Sequence, residues 1–454
     1  MPQQLLFLEF NEINFEDIEY YCQQGVLPNL NRLIANHGWT KTRSEQRYEE
    51  LEPWIQWVTA HTGKSLAEHG VFRLGDITKH DLPQIWERLE AHGLRVGAIS
   101  PMNAKHRLRA PAFFVPDPWT RTELTANARL RGLYDAIVQA VNDNAEARLT
   151  IRSARQLILG MLAYARVANY PWYAQLAATA VSAPWRKAIL LDVLLADVFL
   201  AEVRRTSPHF ATLFLNAGAH IQHHYLFSAA SYRGKSSNPA WYLRPGRDPV
   251  REVYQAYDRI LGAVQRAFPN ARLMIATGLH QEPHGQVTYY WRLRRHSEFL
   301  ARVGIEFQRV EPRMSRDFLI VCSSSAQAAE AGRRLAAAKT GEGVALFEVD
   351  NRGTDLFVML TYPGEIAGRL QFAIDDQLHW LGSEDVAFVA LKNGEHDGVG
   401  YFLDSGQYFQ KGSEAAAFAL ADMPNRVLDA MGIAPGAAAA SKNLDAGASA
   451  ALTA

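Results

Sequence analysis

The chain has 454 residues, 48% of them hydrophobic and 21% charged, a composition that excludes disordered and fibrous classes and allows a large buried core. Lys plus Arg number 47 and Asp plus Glu number 47, so no global field draws the chain to nucleic acid or to anionic lipid, although a local patch remains open. The length suits two or three folding units, or one large α/β domain carrying insertions.

In chain order, Gln4 to Phe10 is a continuous apolar run of strand length. Lacking a basic lead and turning acidic at once, it is expected to be a strand and not a signal peptide. Pro28, Leu30, Leu33 and Ile34, closed by Gly38, predict the following helix. The β-then-α unit recurs: Leu82, Ile85, Trp86 and Leu89 form a helical face before the strand Arg95 to Ser100, and Val250 to Phe268 leads into the strand Leu273 to Thr277. Strands alternating with amphipathic helices predict an α/β fold, a mixed, mostly parallel sheet sandwiched by helices.

The expected organisation is a core in three parts, 1–129, 206–302 and 366–433. It is interrupted by a helical insertion at 130–205 and a small α+β cap subdomain at 303–365, and followed by a disordered Ala-rich tail at 434–454. Within the insertion, the apolar stretch Ala188 to Val203 is broken by Asp192, Asp197 and Glu202, one polar stripe on a packed helix and no membrane span. Only Cys22 and Cys322 are present, so neither a disulfide framework nor a thiolate metal site is expected, and the cytoplasm is the default compartment.

Ligands of open α/β sheets gather at the carboxyl ends of the strands, which directs attention to four places. Glu9, Asn11 and Glu12 close the first strand. Glu52 and Pro53 open a helix carrying Gln56, His61 and Thr62, whose start offers free amides and a positive dipole to an anion. After the strand Phe210 to Leu215 come His220, His223 and His224. Spacing of four puts His220 and His224 on one helical face, able to hold one ion, with His223 pointing elsewhere. His396 lies in a Gly-rich turn after the strand Val386 to Leu391. Three imidazoles can bind one divalent ion and leave a position open for water or substrate. Against this, a lone histidine is ordinarily a hydrogen-bonded surface residue, the Glu49, Glu50 and Glu52 run is ordinarily a solvated face, and Asn11 fits a turn.

Taken in order, these segments resemble the alkaline phosphatase superfamily, in particular its type I phosphodiesterase and nucleotide pyrophosphatase branch. The likeness spans about Leu5 to Gly406: LLFLEFNE with Leu27, Pro28, Asn29 and Leu30, then WVTAHTGKSLAEHGVF with Thr62, Gly63, His69 and Gly70, then His220 to His224, then His396 to Gly400. It implies an alkaline-phosphatase-like fold. The departures are equally specific. The family's hydroxyl nucleophile falls on Pro53, its opening metal Asp on Asn11, and its Asp-His-Gly on Gly278, Leu279 and His280, so one metal position is dismantled unless His280 or Asn11 serves it.

The resemblance therefore implies one divalent metal, with zinc favoured, on His220, His224 and His396. The implied activity is hydrolysis, or a related group transfer, of a small anionic phosphate ester or phosphodiester. Glu52 or Glu12 would act as base, the helix start near Glu52 would bind the oxyanion, and Gln56 and Asn11 would contact substrate or water. The alternative is a non-catalytic descendant that binds an anionic ligand with a structural metal or none. A third class, nucleic-acid binding through Arg292, Arg294, Arg295 and His296 beside Tyr289, Tyr290 and Trp291, fits the balanced charge less well, and no polymer is expected as a partner.

Overall fold

The structure is a computed structural model and describes residues 3–142, 150–313 and 316–434. The expected tail falls almost wholly outside the described residues.

The opening strand Leu5–Phe10 is buried at every position. Leu6, Leu8 and Phe10 join one hydrophobic cluster and Leu5 and Phe7 another, so the strand is covered on both faces; this is why it reads as an unbroken apolar run. It is a central strand of an eight-stranded sheet ordered Phe418–Ala419, Thr40–Arg43, Val399–Asp404, Arg272–Ala276, Leu5–Phe10, Phe210–Leu215, Val96–Ile99, Phe113–Val115. Its two neighbours pair with it in parallel, and Val399–Asp404 runs against both of its own neighbours. The fold is a mixed, mostly parallel sheet flanked by helices.

Between Phe113–Val115 and Phe210–Leu215 lie the helices Ala128–Asn142, Ile151–Tyr164, Tyr170–Thr179 and Arg186–Thr206. Asp192, Asp197 and Glu202 of the last helix are all buried. Asp197 accepts from the Arg166 amide and the Tyr173 hydroxyl, and Asp192 from the Ala217 amide and the Tyr257 hydroxyl, so the polar stripe points inward and ties neighbouring segments together.

A second sheet, Phe347–Asn351, Asp355–Leu360, Asp317–Val321 and Arg309–Pro312, packs on the helix Ser325–Ala337. Its hydrophobic cluster runs from Trp291 to Val386 and takes in the hairpin Arg369–Ile374 with Gln377–Gly382.

The strand expected at Val386 to Leu391 extends through Asp397 and pairs with His280–Leu293 in a two-stranded antiparallel ribbon. The main sheet resumes only at Val399. His396 therefore lies in a strand opposite Gln281, and not in a turn. The glycine that suggested a turn has another use: the register shifts between Lys392 and Gly394, and a side chain at Gly394 would strike the Gln281 amide.

Candidate metal centre and active site

The first strand ends at Phe10, and the next two residues turn sharply. Glu12 has a positive φ of 60°, a left-handed conformation that a residue with a Cβ adopts at a cost. Its amide donates to the Thr277 carbonyl at 3.1 Å, and its carbonyl accepts from Gln222 Nε2 at 2.9 Å, which hold the strained turn. The Glu12 carboxylate is thereby aimed across the carboxyl end of the sheet.

Asn11 fixes one carboxylate oxygen. Trp57 Nε1 donates to Asn11 Oδ1 at 2.7 Å, which turns Asn11 Nδ2 toward Glu12 Oε1 at 3.0 Å and Asn216 Oδ1 at 2.8 Å. The amide must donate in that direction, a task an aspartate cannot perform. Gln281 Nε2 donates to the other oxygen, Oε2, at 2.5 Å and to the Ala219 carbonyl at 3.0 Å.

Two imidazoles meet the same Oε2. His223 Nε2 lies 3.1 Å away and His396 Nε2 3.2 Å away, and the two nitrogens are 3.3 Å apart. A tetrahedral site with metal–ligand distances of about 2.0–2.1 Å has edges of about 3.3 Å, so the three donors have the spacing of one face of such a site. The donor set suits a divalent transition metal. Burial alone would raise the Glu12 pKa, but the charges and hydrogen bonds of His396 and His223 outweigh it and hold the carboxyl far below its ordinary range. In the same way burial works against charge on His396, yet Glu12 raises its pKa above the ordinary imidazole value.

The helix Ala217–Tyr225 carries His223 because its rotation is set by packing. Gly218 lies so close to Ile13 that a Cβ would collide with that side chain and crowd Tyr257, and Ile221, Gln222 and Tyr225 are buried with it. This face goes inward and His223 reaches the strand end. His220 and His224 pack against each other with ring centroids 5.1 Å apart and stand outside the three-donor cluster. His220 is exposed, whereas His224 Nδ1 donates to the Leu391 carbonyl at 3.1 Å and burial holds its ring neutral. His224 also contacts Tyr290. The His396 pairing thus involves the helix histidine that spacing alone sets aside.

Glu52 precedes the helix Pro53–Thr62 and makes no capping hydrogen bond, so its carboxylate is not engaged by the helix amides. Glu52 Oε2 is 3.8 Å from His396 Nδ1, and burial is the main cause that pushes its pKa up to about 7. Gln56 is fully buried. Its Nε2 donates to the Glu50 carbonyl at 2.8 Å, bracing the segment before the helix, and its Oε1 has no hydrogen-bond partner. His280 is engaged at both nitrogens, with the Val399 carbonyl and Glu282, so neither is free for a second metal.

Lys392 feels the charges of both Glu52 and Arg316. The Arg316 guanidinium lies 4.0 Å over the Tyr290 ring, and Lys392 Nζ donates to the Tyr48 hydroxyl at 3.2 Å. Among the described residues no carboxylate is within ion-pair distance of either. In the other basic group, near Tyr289 to Trp291, Arg294 donates to the Val386 carbonyl and Arg295 pairs with Glu298 at the surface. Sequence reasoning named Glu12, Asn11, Glu52 and His396 for this region. It passed over Gln281, Lys392 and Arg316, whose only sequence signal is a polar residue beside a strand end.

No protein-family model matches the sequence, and no curated protein matches it. Among solved structures the chain is similar to phosphonoacetate hydrolase from Sinorhizobium meliloti 1021 in complex with phosphonoformate, at 11% identity over 95% of this chain and 96% of that one, with a TM-score of 0.44. It is also similar to human ectonucleotide pyrophosphatase/phosphodiesterase 5, at 11% identity over 95% of each chain with a TM-score of 0.46. The murine form of that protein in complex with AMP matches at 10% identity over 95% of each chain with a TM-score of 0.44.

Proposed function

We propose that the chain is a metal-dependent hydrolase of a phosphate ester or phosphodiester, with a single divalent ion held by Glu12, His223 and His396. The observation that carries this reading is the triangle of three donor atoms with edges of 3.1, 3.2 and 3.3 Å, in the dimensions of a tetrahedral face. The sequence resemblance to the phosphodiesterase branch supports phosphorus esters as the substrate class. A bound divalent ion, zinc for a carboxylate and two imidazoles, would supply Lewis-acid polarisation of the phosphoryl group.

The protein's own groups divide the remaining work. Glu52, poised near neutrality, takes the proton from an attacking water. Pro53 has no hydroxyl, so a covalent route through that position is closed. Arg316 and Lys392, free of carboxylate partners among the described residues, receive the substrate's anionic oxygens, and Tyr48 and Tyr290 hold the two cations in place. Gln281 and Asn11 orient Glu12. His224, neutral and beside Tyr290, faces the leaving group together with His220. We assign leaving-group selection to the 130–205 insertion and the 303–365 cap.

The test is elemental analysis of tag-free protein together with turnover of bis(p-nitrophenyl) phosphate. The expected result is about one equivalent of metal, lost in His223→Ala and His396→Ala and kept in His224→Ala, with turnover abolished in Glu52→Gln while metal is retained. Loss of metal in His224→Ala with retention in His223→Ala would reassign the ligands to the helical pair. A metal-free, inactive parent would make the chain a non-catalytic anion-binding protein.

A further inference from the structure

Half of the large hydrophobic side chains exposed among the described residues fall between Ile151 and Val181, a span of 31 residues on the helices beside the main sheet. The helix Ile151–Tyr164 has two apolar faces. Its inner face places Gly160 so close to Leu133 of the helix Ala128–Asn142 that a Cβ would collide. On its outer face Ile151, Ile158, Leu159 and Leu162 fall within an arc of about 100°. They are 91%, 59%, 48% and 68% exposed, so among the described residues nothing covers this stripe. Val167, 76% exposed, and Val181, 92% exposed, extend the apolar surface beyond the helix end.

The segment's own charge is one-sided. Thr150 to Leu191 contains five basic residues and no Asp or Glu, in a chain whose total charge is zero. Arg186 is spent on Glu252, and Arg166 lies 3.7 Å from Asp197. Arg152 and Arg155, on and beside the apolar stripe, and Lys187 are exposed and have no ion-pair partner among the described residues.

We propose that this face docks on an anionic lipid bilayer, with Ile158, Leu159 and Leu162 in the headgroup and upper acyl layer and Arg152 and Arg155 on lipid phosphates. An apolar stripe bordered by cations is the arrangement of a helix that lies in the membrane plane. No described helix is long and apolar enough to cross a membrane, which agrees with a surface mode. A second copy fits poorly: a two-fold contact through this face would bring arginines against arginines, and the stretch from Thr150 to Leu191 holds no carboxylate to neutralise them. The inference is independent of the hydrolase reading.

The experiment is flotation of the full chain with vesicles of phosphatidylglycerol and phosphatidylcholine, compared with vesicles of phosphatidylcholine alone. Binding to the anionic vesicles, weakened by salt and absent on the neutral ones, is expected. Arg152→Gln with Arg155→Gln should weaken partitioning about thirtyfold, from about 1 kcal/mol per basic residue near an anionic surface. Ile158→Glu and Leu162→Glu, both at exposed positions, should abolish flotation while the melting temperature is kept. Three outcomes overturn the proposal: no flotation at low salt, equal flotation with both vesicles, or equal flotation of the parent and the glutamate variants. A parent dimer that Leu162→Glu converts to monomer, without flotation, would assign the face to self-association.

Discussion

Asn11→Asp changes one NH2 to an oxygen with almost no change in volume, and the structure predicts a specific, pH-dependent penalty. In the parent, Asn11 Nδ2 donates to Glu12 Oε1 at 3.0 Å and to Asn216 Oδ1 at 2.8 Å, while Trp57 secures Oδ1. An aspartate would place a second carboxylate against that of Glu12. At 3.0 Å and an effective dielectric constant of about 20, two unit charges repel by about 5.5 kcal/mol. The pair escapes by taking up a proton, and the introduced aspartate takes it because the imidazoles keep Glu12 ionised. Holding an aspartate protonated at pH 7, against an ordinary pKa of about 3.9, costs about 4 kcal/mol, which caps the penalty. The sign follows: the variant's folded-state pKa is raised, so the penalty is absent below about pH 4 and grows by about 1.4 kcal/mol per unit as the pH rises toward the folded value. One residual hydrogen bond, to Asn216, is lost at any pH, worth about 1 kcal/mol. Urea titrations of parent and variant from about pH 4 to pH 8, with chelator present so that no ion screens the carboxylates, measure the difference directly. A difference that is flat with pH, or none near neutrality, refutes the assigned orientation of Asn11.

Glu52→Gln should lower turnover by about a hundredfold or more and remove the acidic limb of the pH–rate profile near 7, since the parent's base is protonated below that value; an unchanged limb would show that another group titrates. In the metal-free protein the His396–Glu12 pair carries two opposite linkages. The raised His396 pKa contributes stability that is full below the ordinary imidazole value and lost as pH rises through the folded one, whereas the depressed Glu12 pKa contributes stability that is full above the ordinary carboxylate range and lost as pH falls. His396→Gln should therefore flatten the alkaline side of the stability profile, which thermal melts with chelator would record. Beneath the sheet, His61 Nε2 lies 3.1 Å from Glu9 Oε1, with both side chains wholly buried. His61→Phe leaves Glu9 with only Thr212 and should destabilise by about 3–5 kcal/mol, read as a lower denaturation midpoint; a shift under about 1 kcal/mol would mean the pair is dispensable.

What the sequence reveals of this molecule follows the range of the forces involved. The opening strand and the helix Pro53–Thr62 are legible because their signals are local: an apolar run covered on both faces, a proline at the first turn, and Gly63 in the left-handed region at the end. Glu12 and His396 are legible as polar residues near strand ends. The choice of His223 over its neighbours is not, because spacing says which histidines share a face and not which face turns inward. Gly218 and Ile221, packing below, decide that. The place of His396 in a strand is equally hidden, since the last residues of Val386–Asp397 are strand only by pairing with a segment over a hundred residues earlier. Gln281 and Arg316 come from that distant segment and from the second sheet, and only tertiary contact brings them to Glu12 and Tyr290.

The positive φ of Glu12 makes position 12 a trap for protein engineering. A rule that places glycine wherever φ is positive would select it for relief of about 1 kcal/mol of backbone strain, yet the change removes the acceptor shared by His223, His396 and Gln281 and the acceptor of Asn11, a larger cost. Stabilisation guided by backbone angles alone would then give a weaker chain with an empty centre. Engineering of this scaffold should accordingly hold position 12 fixed from the outset.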